Sequence, residues 1–235
     1  MKHLIVINTY NRIDALNKTI FSINQNLPDA DICVISKGDE KKEDILGKIT
    51  FFHKTKNIGR EAHGYIWAFL KYSNYQVYTF LQDEPAEIYG NYYGDKIKIA
   101  ENLILLGKTD CVSGMFFIFD WDRKYNGEKF KLNSFATDLR IKKRFIWFFN
   151  PGSCFTIHSK FLISRKKIFE DNLNRWVLNK NFAWSLERIW QSLSPRNCWV
   201  SDSYQIKYST MSAYLFFIKR VCTKLKISLN DYLHN

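Results

Sequence analysis

The chain of 235 residues has no run of about 18 uncharged apolar residues, so no membrane-crossing helix is expected. Its first residues, MKHLIVINTYNR, hold a strand-length apolar run but no small-residue cleavage site, which argues against a secretory leader. No cysteine stands in a CxxC pair. Cys33, Cys111, Cys154, Cys198 and Cys222 are scattered and odd in number, which points to reduced, cytosolic and buried thiols. Neither an internal repeat nor a low-complexity linker divides the sequence, so a single domain is expected. Acidic residues are scarce in the back half: residues 121–235 carry 8 Asp and Glu against 21 Lys and Arg, whereas residues 1–120 carry 15 against 14. The net charge of +12 therefore lies beyond residue 120, and that half is expected to face something anionic. Membrane lipid, a phosphorylated acceptor and nucleic acid all meet that description.

What is present is a folded composition, 46% hydrophobic and 17% aromatic. HLIVINTY reads as a buried strand through Ile7. RIDALNKTIFSINQNL places Ile13, Leu16, Ile20 and Ile23 at helical spacing. ADICVISKGDE reads as a second strand and turn, and KITFFHKT as a third strand. REAHGYIWAFLKYS puts Ala62, Tyr65, Ile66, Phe69 and Leu70 on one helical face. YQVYTFLQDEP is a fourth strand running into an acidic, proline-stopped turn; DKIKIAENLILLGK is a further helix and CVSGMFFIFD a further strand. This alternation predicts an α/β fold with a mostly parallel sheet and helices on its faces. Such sheets bind ligands at the carboxyl ends of their strands, where INTYNR, ISKGDE, KTKNIGRE and LQDEP all fall. Beyond residue 120 the pattern is weaker. DWDRKYNGEKFKLNSF reads as a loop, RFIWFFNPGSCFTIH as two strands broken by a Pro-Gly turn, and HSKFLISRKKIFEDNLNRWV and NKNFAWSLERIWQSL as helices.

Four stretches carry candidate chemistry. In KTKNIGREAHGY, Asn57 and Gly59 let the backbone turn tightly into a helix near Arg60. Free N–H groups there favour an anion, Arg60 can grip phosphate or carboxylate in a forked geometry, and His63 follows one turn later. The plainer reading is a solvated helix start in which Glu61 offsets the positive helix end. In LQDEP, Asp83 and Glu84 follow an apolar strand, where oxygen ligands suit a hard divalent cation or a ribose hydroxyl; acids in a plain turn are the bland alternative. In FAWSLERIW, Glu187 among aromatic neighbours is a candidate general base, against an ordinary surface helix bearing Glu187 and Arg188. In the tail, STMSAYLFFIKRVCTKLKISLNDYLHN, Met211, Tyr214, Leu215, Ile218, Val221, Cys222 and Leu225 form one helical arc opposite Lys219, Arg220 and Lys224. Such a helix can rest on an anionic bilayer or pack on its own domain.

NTYNR, the glycine turn of ISKGDE, NIGRE before a helix and FLQDEP, in that order, resemble the nucleotide-sugar-binding half of GT-A glycosyltransferases. NIGREAHGY, TFLQDEP, GSCFTI and LERIW resemble more narrowly a poorly characterised branch of glycosyltransferase-like proteins, over about residues 3–193. The resemblance implies a GT-A-like domain over 1–208, with residues 1–120 on the nucleotide-sugar side and 121–208 on the acceptor side, followed by a basic extension over 209–235. It implies that Thr9, Asn11, Arg12, Ser36, Lys37 and Gly38 line the nucleotide pocket, and that Asn57, Gly59 and Arg60 approach the sugar or diphosphate. Gln82, Asp83 and Glu84 take the Asp-x-Asp position near ribose, metal and diphosphate, and His63 and Arg188 join the substrate-binding set. Glu187 matches the acid that deprotonates the acceptor hydroxyl in inverting members. The implied reaction is sugar transfer from a nucleotide-activated donor to a glycan or lipid-linked saccharide, as in bacterial-type surface polysaccharide or lipopolysaccharide synthesis.

Two departures bear on specificity. Ser36 and Lys37 stand where many relatives hold aspartates that read uracil, which argues against a uridine donor. Gln82-Asp83-Glu84 is not a strict Asp-x-Asp, so the implied Mn2+ or Mg2+ at Asp83 and Glu84 has an alternative: Lys37, Arg60 or Arg188 stabilising the leaving diphosphate without metal. The expected location is the cytoplasm, with the tail resting on the inner face of the membrane under the first reading of that helix. Two other classes compete. A nucleic-acid-binding protein suits the basic half, but no RNP aromatic motif occurs and the LQDEP turn repels phosphate. The other is a GT-A-like binding protein without turnover.

Overall fold

The computed structural model describes residues 2–55, 60–83, 92–113, 117–119, 136–141, 147–149, 154–177, 190–200, 204 and 206–208. The chain opens β1 (His3–Thr9), α1 (Ile13–Asn26), β2 (Asp31–Ser36), a 3-10 turn (Lys42–Asp44), β3 (Phe51–Lys54), α2 (Arg60–Lys71) and β4 (Val77–Gln82). It continues with α3 (Gly94–Leu105), β5 (Cys111–Ser113), β6 (Phe117–Phe119), β7 (Trp147–Phe149) and β8 (Phe155–His158). Then come α4 (Ser159–Ile163), α5 (Lys166–Val177), a 3-10 turn (Trp190–Leu193), β9 (Asn197–Val200) and β10 (Ile206–Tyr208).

Among the described residues, eight strands form one sheet in the order β10-β9-β5-β8-β4-β1-β2-β3. β8 and β10 run against their neighbours and the other strands run together. The fold class is therefore α/β, a mostly parallel sheet flanked by helices. Every residue of β1 is buried, as a parallel strand covered on both faces requires, and this explains its unbroken apolar run.

Strand alternation sorts the side chains between two layers. Leu4, Val6, Tyr78, Phe80, Phe155 and Ile157 face one side, where Tyr65, Phe69, Phe169, Trp176 and Trp190 make an aromatic core under α2 and α5. Ile5, Ile7, Val34, Val77 and Leu81 face the other, against Leu16, Ile20 and Ile23 of α1 and Ile97, Ala100 and Leu103 of α3. The helical spacing read from Leu16, Ile20 and Ile23 and from Tyr65, Ile66 and Phe69 is thus the spacing of buried positions.

One expectation is corrected, and three are given in finer detail or lie largely outside the described residues. CVSGMFFIFD is not one strand: β5 belongs to the large sheet, whereas β6 pairs antiparallel with β7 in a separate two-stranded sheet. β7 and β8, read as two strands about a Pro-Gly turn, do not pair with each other; β8 inserts antiparallel between β4 and β5. HSKFLISRKKIFEDNLNRWV is two helices, because a turn at Ser164 and Arg165 separates α4 from α5. Of NKNFAWSLERIWQSL, the described part is the 3-10 turn Trp190–Leu193. β9 and β10 are additional strands. The loop read over DWDRKYNGEKFKLNSF and the tail beyond residue 208 lie outside the described residues. No helix among the described residues is long and apolar enough to cross a membrane.

Candidate functional site

Three registers bring polar residues to one level at the carboxyl edge. Thr9 of β1 pairs with Ser36 of β2, Ser36 with Lys54 of β3, and Asn8 with Gln82 of β4. The strand order reverses between β1 and β4, with α1 leading from β1 to β2 over one face and α2 leading from β3 to β4 over the other. Such a reversal leaves a crevice beyond the strand ends, because the connections on its two sides diverge.

The loops at this edge are locked together by two buried carboxylates. Asp83 Oδ2 accepts from Thr9 Oγ1 at 2.7 Å and from the Tyr10 N–H at 3.2 Å. Glu40 Oε1 lies 2.9 Å from Thr9 Oγ1 and accepts from the Arg12 N–H at 3.1 Å, while its Oε2 accepts from Ser36 Oγ at 2.8 Å. Thr9 has one hydroxyl proton between two acids, so it couples Glu40 to Asp83 rather than satisfying both fully. The β1 and β2 loops interlock further: Lys37 N–H donates to Thr9 O, and Asp39 N–H donates to Asn11 Oδ1 at 2.7 Å. Asn11 holds a left-handed backbone, φ 54°, and lies against Gly38, where a Cβ would overlap its Oδ1 and backbone N. On the opposite face, α2 comes so close to β1 that a Cβ on Gly64 would overlap the Asn8 amide. That contact places the first turns of α2 beside the crevice.

Burial pushes the Glu40 carboxyl up, but donors from Ser36, its own backbone, Thr9 and Arg12 outweigh this and hold it below the ordinary 4.5. An acid lowered in the folded state contributes stability above its unfolded value, and the contribution is lost as pH falls through the lower folded value. Glu40→Gln is therefore expected to lower the urea midpoint at neutral pH, with the gap to the parent closing below 4.5. Midpoints from neutral pH to about pH 3 check this; a gap unchanged by pH shows that the ionised form is not what stabilises.

His63, in the first turns of α2, lies near Lys37. Its Nδ1 is buried and meets no hydrogen-bond partner among the described residues. Burial and then the Lys37 ammonium lower its pKa from 6.5, so the imidazole is neutral at neutral pH. Tyr10 stands on the rim with its side chain 55% exposed.

The structure thus brings together Thr9, Asn11, Arg12, Ser36, Lys37, Gly38, His63, Gln82 and Asp83 of the expected set. Thr9 and Ser36 turn inward, with hydroxyls committed to Glu40 and Asp83, so they position the edge and do not line it. Arg60 opens α2, but its side chain lies outside the described residues, as do Asn57, Gly59, Glu84, Glu187 and Arg188. Sequence reasoning missed Glu40 and Tyr10. Their signals were weak: an acid two positions past a turn glycine, and an aromatic inside NTYNR.

Among the described residues, no three His, Cys, Asp or Glu side chains are grouped to hold a metal. Both Glu40 oxygens and Asp83 Oδ2 accept from protein donors, and Glu84, the other residue of the expected cation site, lies outside the described residues.

No family model matches the chain, and no curated protein matches it. Among solved structures the chain is similar to CMP:2-keto-3-deoxy-manno-octonic acid synthetase complexed with CTP. Identity is 10%, the match covers 95% of this chain and 99% of the other, and the TM-score is 0.46. It is also similar to an active-site mutant of LgtC at 13% identity, over 84% of this chain and 72% of that one, with a TM-score of 0.39. Likenesses of this size concern the course of the chain and leave its chemistry to the site.

Proposed function

We propose that the protein transfers a sugar from a nucleotide-activated donor to a hydroxyl of a glycan or lipid-linked saccharide. The observation that carries this reading is the convergence of Tyr10, Lys37, His63, Gln82 and Asp83 on the crevice where the strand order reverses, braced from below by Thr9, Ser36 and Glu40. The exposed Tyr10 ring is a stacking platform for a base. Lys37 and the start of α2, with Arg60, counter the diphosphate. Gln82 and Asp83 hold the ribose side of the donor, where relatives of the GT-A type carry their Asp-x-Asp. Glu187 takes the acceptor proton as the acceptor oxygen bonds to the anomeric carbon. The bond from that carbon to the diphosphate breaks, and its electron pair leaves on the nucleotide. The basic back half suits an acceptor carried on an anionic surface.

A thermal-shift series with nucleotides and nucleotide sugars, with and without manganese, tests this. At about 100 times Kd a bound donor adds ~2.7 kcal/mol, which for a chain of this size raises the midpoint by roughly 5–10 °C. A nucleotide sugar is expected to do so and to be hydrolysed slowly when no acceptor is present. Salt-sensitive stabilisation by RNA, with no shift from any nucleotide sugar, overturns the reading.

A further inference from the structure

On the face covered by α1 and α3, far from the carboxyl edge, a continuous line of hydrogen bonds crosses the core. Glu101 Oε1 is 3.0 Å from His3 Nδ1, and His3 Nε2 is 2.8 Å from Thr79 Oγ1. Thr79 Oγ1 is 2.7 Å from Thr156 Oγ1, which is 2.8 Å from the Tyr92 hydroxyl. The Tyr92 hydroxyl is also 3.3 Å from Val112 O. Thr79, Thr156 and Tyr92 are fully buried and His3 is 3% exposed. Only the Glu101 end meets solvent, at a cavity of about 290 Å³ whose lining includes His3, Asn26, Asp29, Lys98 and Glu101.

Each hydroxyl has one proton, so the line can satisfy its members in only two ways. With His3 neutral and its Nδ1–H on Glu101, Tyr92 donates to Thr156, Thr156 to Thr79 and Thr79 to Nε2. With His3 protonated, Nε2–H donates to Thr79, Thr79 to Thr156, Thr156 to Tyr92 and Tyr92 to Val112 O. A mixture of directions sets two hydroxyl protons head to head in a low-dielectric core. The Tyr92 hydroxyl therefore has two acceptors in reach, Thr156 Oγ1 at 2.8 Å and Val112 O at 3.3 Å. Burial raises the Tyr92 phenol well above its ordinary value, so it keeps its proton in both arrangements.

We propose that this line is a proton-responsive switch: a proton gained by His3 from the cavity reverses every donor from Thr79 to Tyr92 and turns the Tyr92 O–H from Thr156 to donate to Val112 O. Glu101 of α3 and the Thr79 hydroxyl from β4 contact the His3 ring, and the cavity beside it is also lined by Lys98 of α3 and Asp29 of the α1–β2 connection. Tyr92 stands nine residues after Asp83 and two before the start of α3. Nothing in the switch depends on what the carboxyl edge binds.

The whole protein, labelled in the histidine ring nitrogens and the tyrosine Cζ, tests this by NMR from about pH 5 to 8, where imidazoles change charge. His3→Gln and Tyr92→Phe assign the two signals. The Tyr92 Cζ resonance is expected to move with the same midpoint as the His3 ring, and in Thr156→Val to stay still while His3 still titrates. Thr79→Val cuts the line at another bond and serves if Thr156→Val does not fold. A Tyr92 signal that ignores the charge of His3, one that follows it equally in both valine variants, or a His3 that keeps one charge state throughout overturns the proposal.

Discussion

Glu187→Gln is expected to lower turnover about 10²–10⁴-fold while leaving donor affinity unchanged, the loss typical of removing a positioned general base. Glutamine keeps the shape and polarity of the side chain but cannot take the acceptor proton. The residue lies outside the described part of the chain, and what supports its reach is its neighbour Trp190. Trp190 is 1% exposed and stacks on Phe80 with ring centroids 5.8 Å apart. Phe80 stands three residues before Asp83, about 10 Å along β4. Three Cα steps of ~3.8 Å limit Glu187 to about 11 Å from Trp190. Turnover and donor dissociation constants are to be measured together. A variant as active as its parent removes Glu187 from the role, whereas a variant that loses donor binding makes it a structural acid.

Trp190→Ala is expected to cost about 3–5 kcal/mol of unfolding free energy, the range for deleting a large aromatic from a packed core. The ring lies among Tyr65, Phe80, Phe155 and Phe169, at centroid distances of 6.3, 5.8, 5.3 and 6.3 Å. It joins α2, β4, β8 and α5 in one contact. Yet its Nε1–H is buried without a hydrogen-bond partner among the described residues, a burden of about 1–3 kcal/mol. Trp190→Phe removes that donor along with part of the ring, so two effects of opposite sign partly cancel. Its loss is expected to stay under about 2 kcal/mol. Urea unfolding of both variants measures this. An alanine variant within about 1 kcal/mol of the parent shows that the site collapses freely and that Trp190 does not anchor the segment before it. The same pair bears on catalysis, since the phenylalanine variant is expected to keep more turnover than the alanine variant.

Legibility along this chain follows the range of the interactions that set each element. β1, β2 and β4 are short apolar runs because both their faces are covered, and α1 and α2 are periodic because one face of each is. Those patterns are local, and the expected alternation through β5 is the observed one. β8 fared differently. Nothing in FTIH states that it runs antiparallel between β4 and β5, since the pairing is made with Thr79 and Val112, distant in the chain. CVSGMFFIFD looked continuous because β5 and β6 are both apolar, although they join different sheets. At the site, Thr9, Lys37 and Asp83 were found because their segments end strands. Glu40 was not, because its importance rests on three donors from Thr9, Arg12 and Ser36 that only the folded loops bring to it.

The sequence by itself determined the α/β class, the order of elements through β5, the faces of α1 and α2 and the charge divide near residue 120. These depend on which residues must leave water and at what period, a property of neighbours in the chain. Only the tertiary structure decided that Glu40 and Asp83 share Thr9, that Tyr10 and Lys37 flank one crevice, and that His3 and Tyr92 lie on one hydrogen-bonded line. Each is a meeting of directed polar groups from separate elements, and a linear pattern does not encode the angles at which those elements pack.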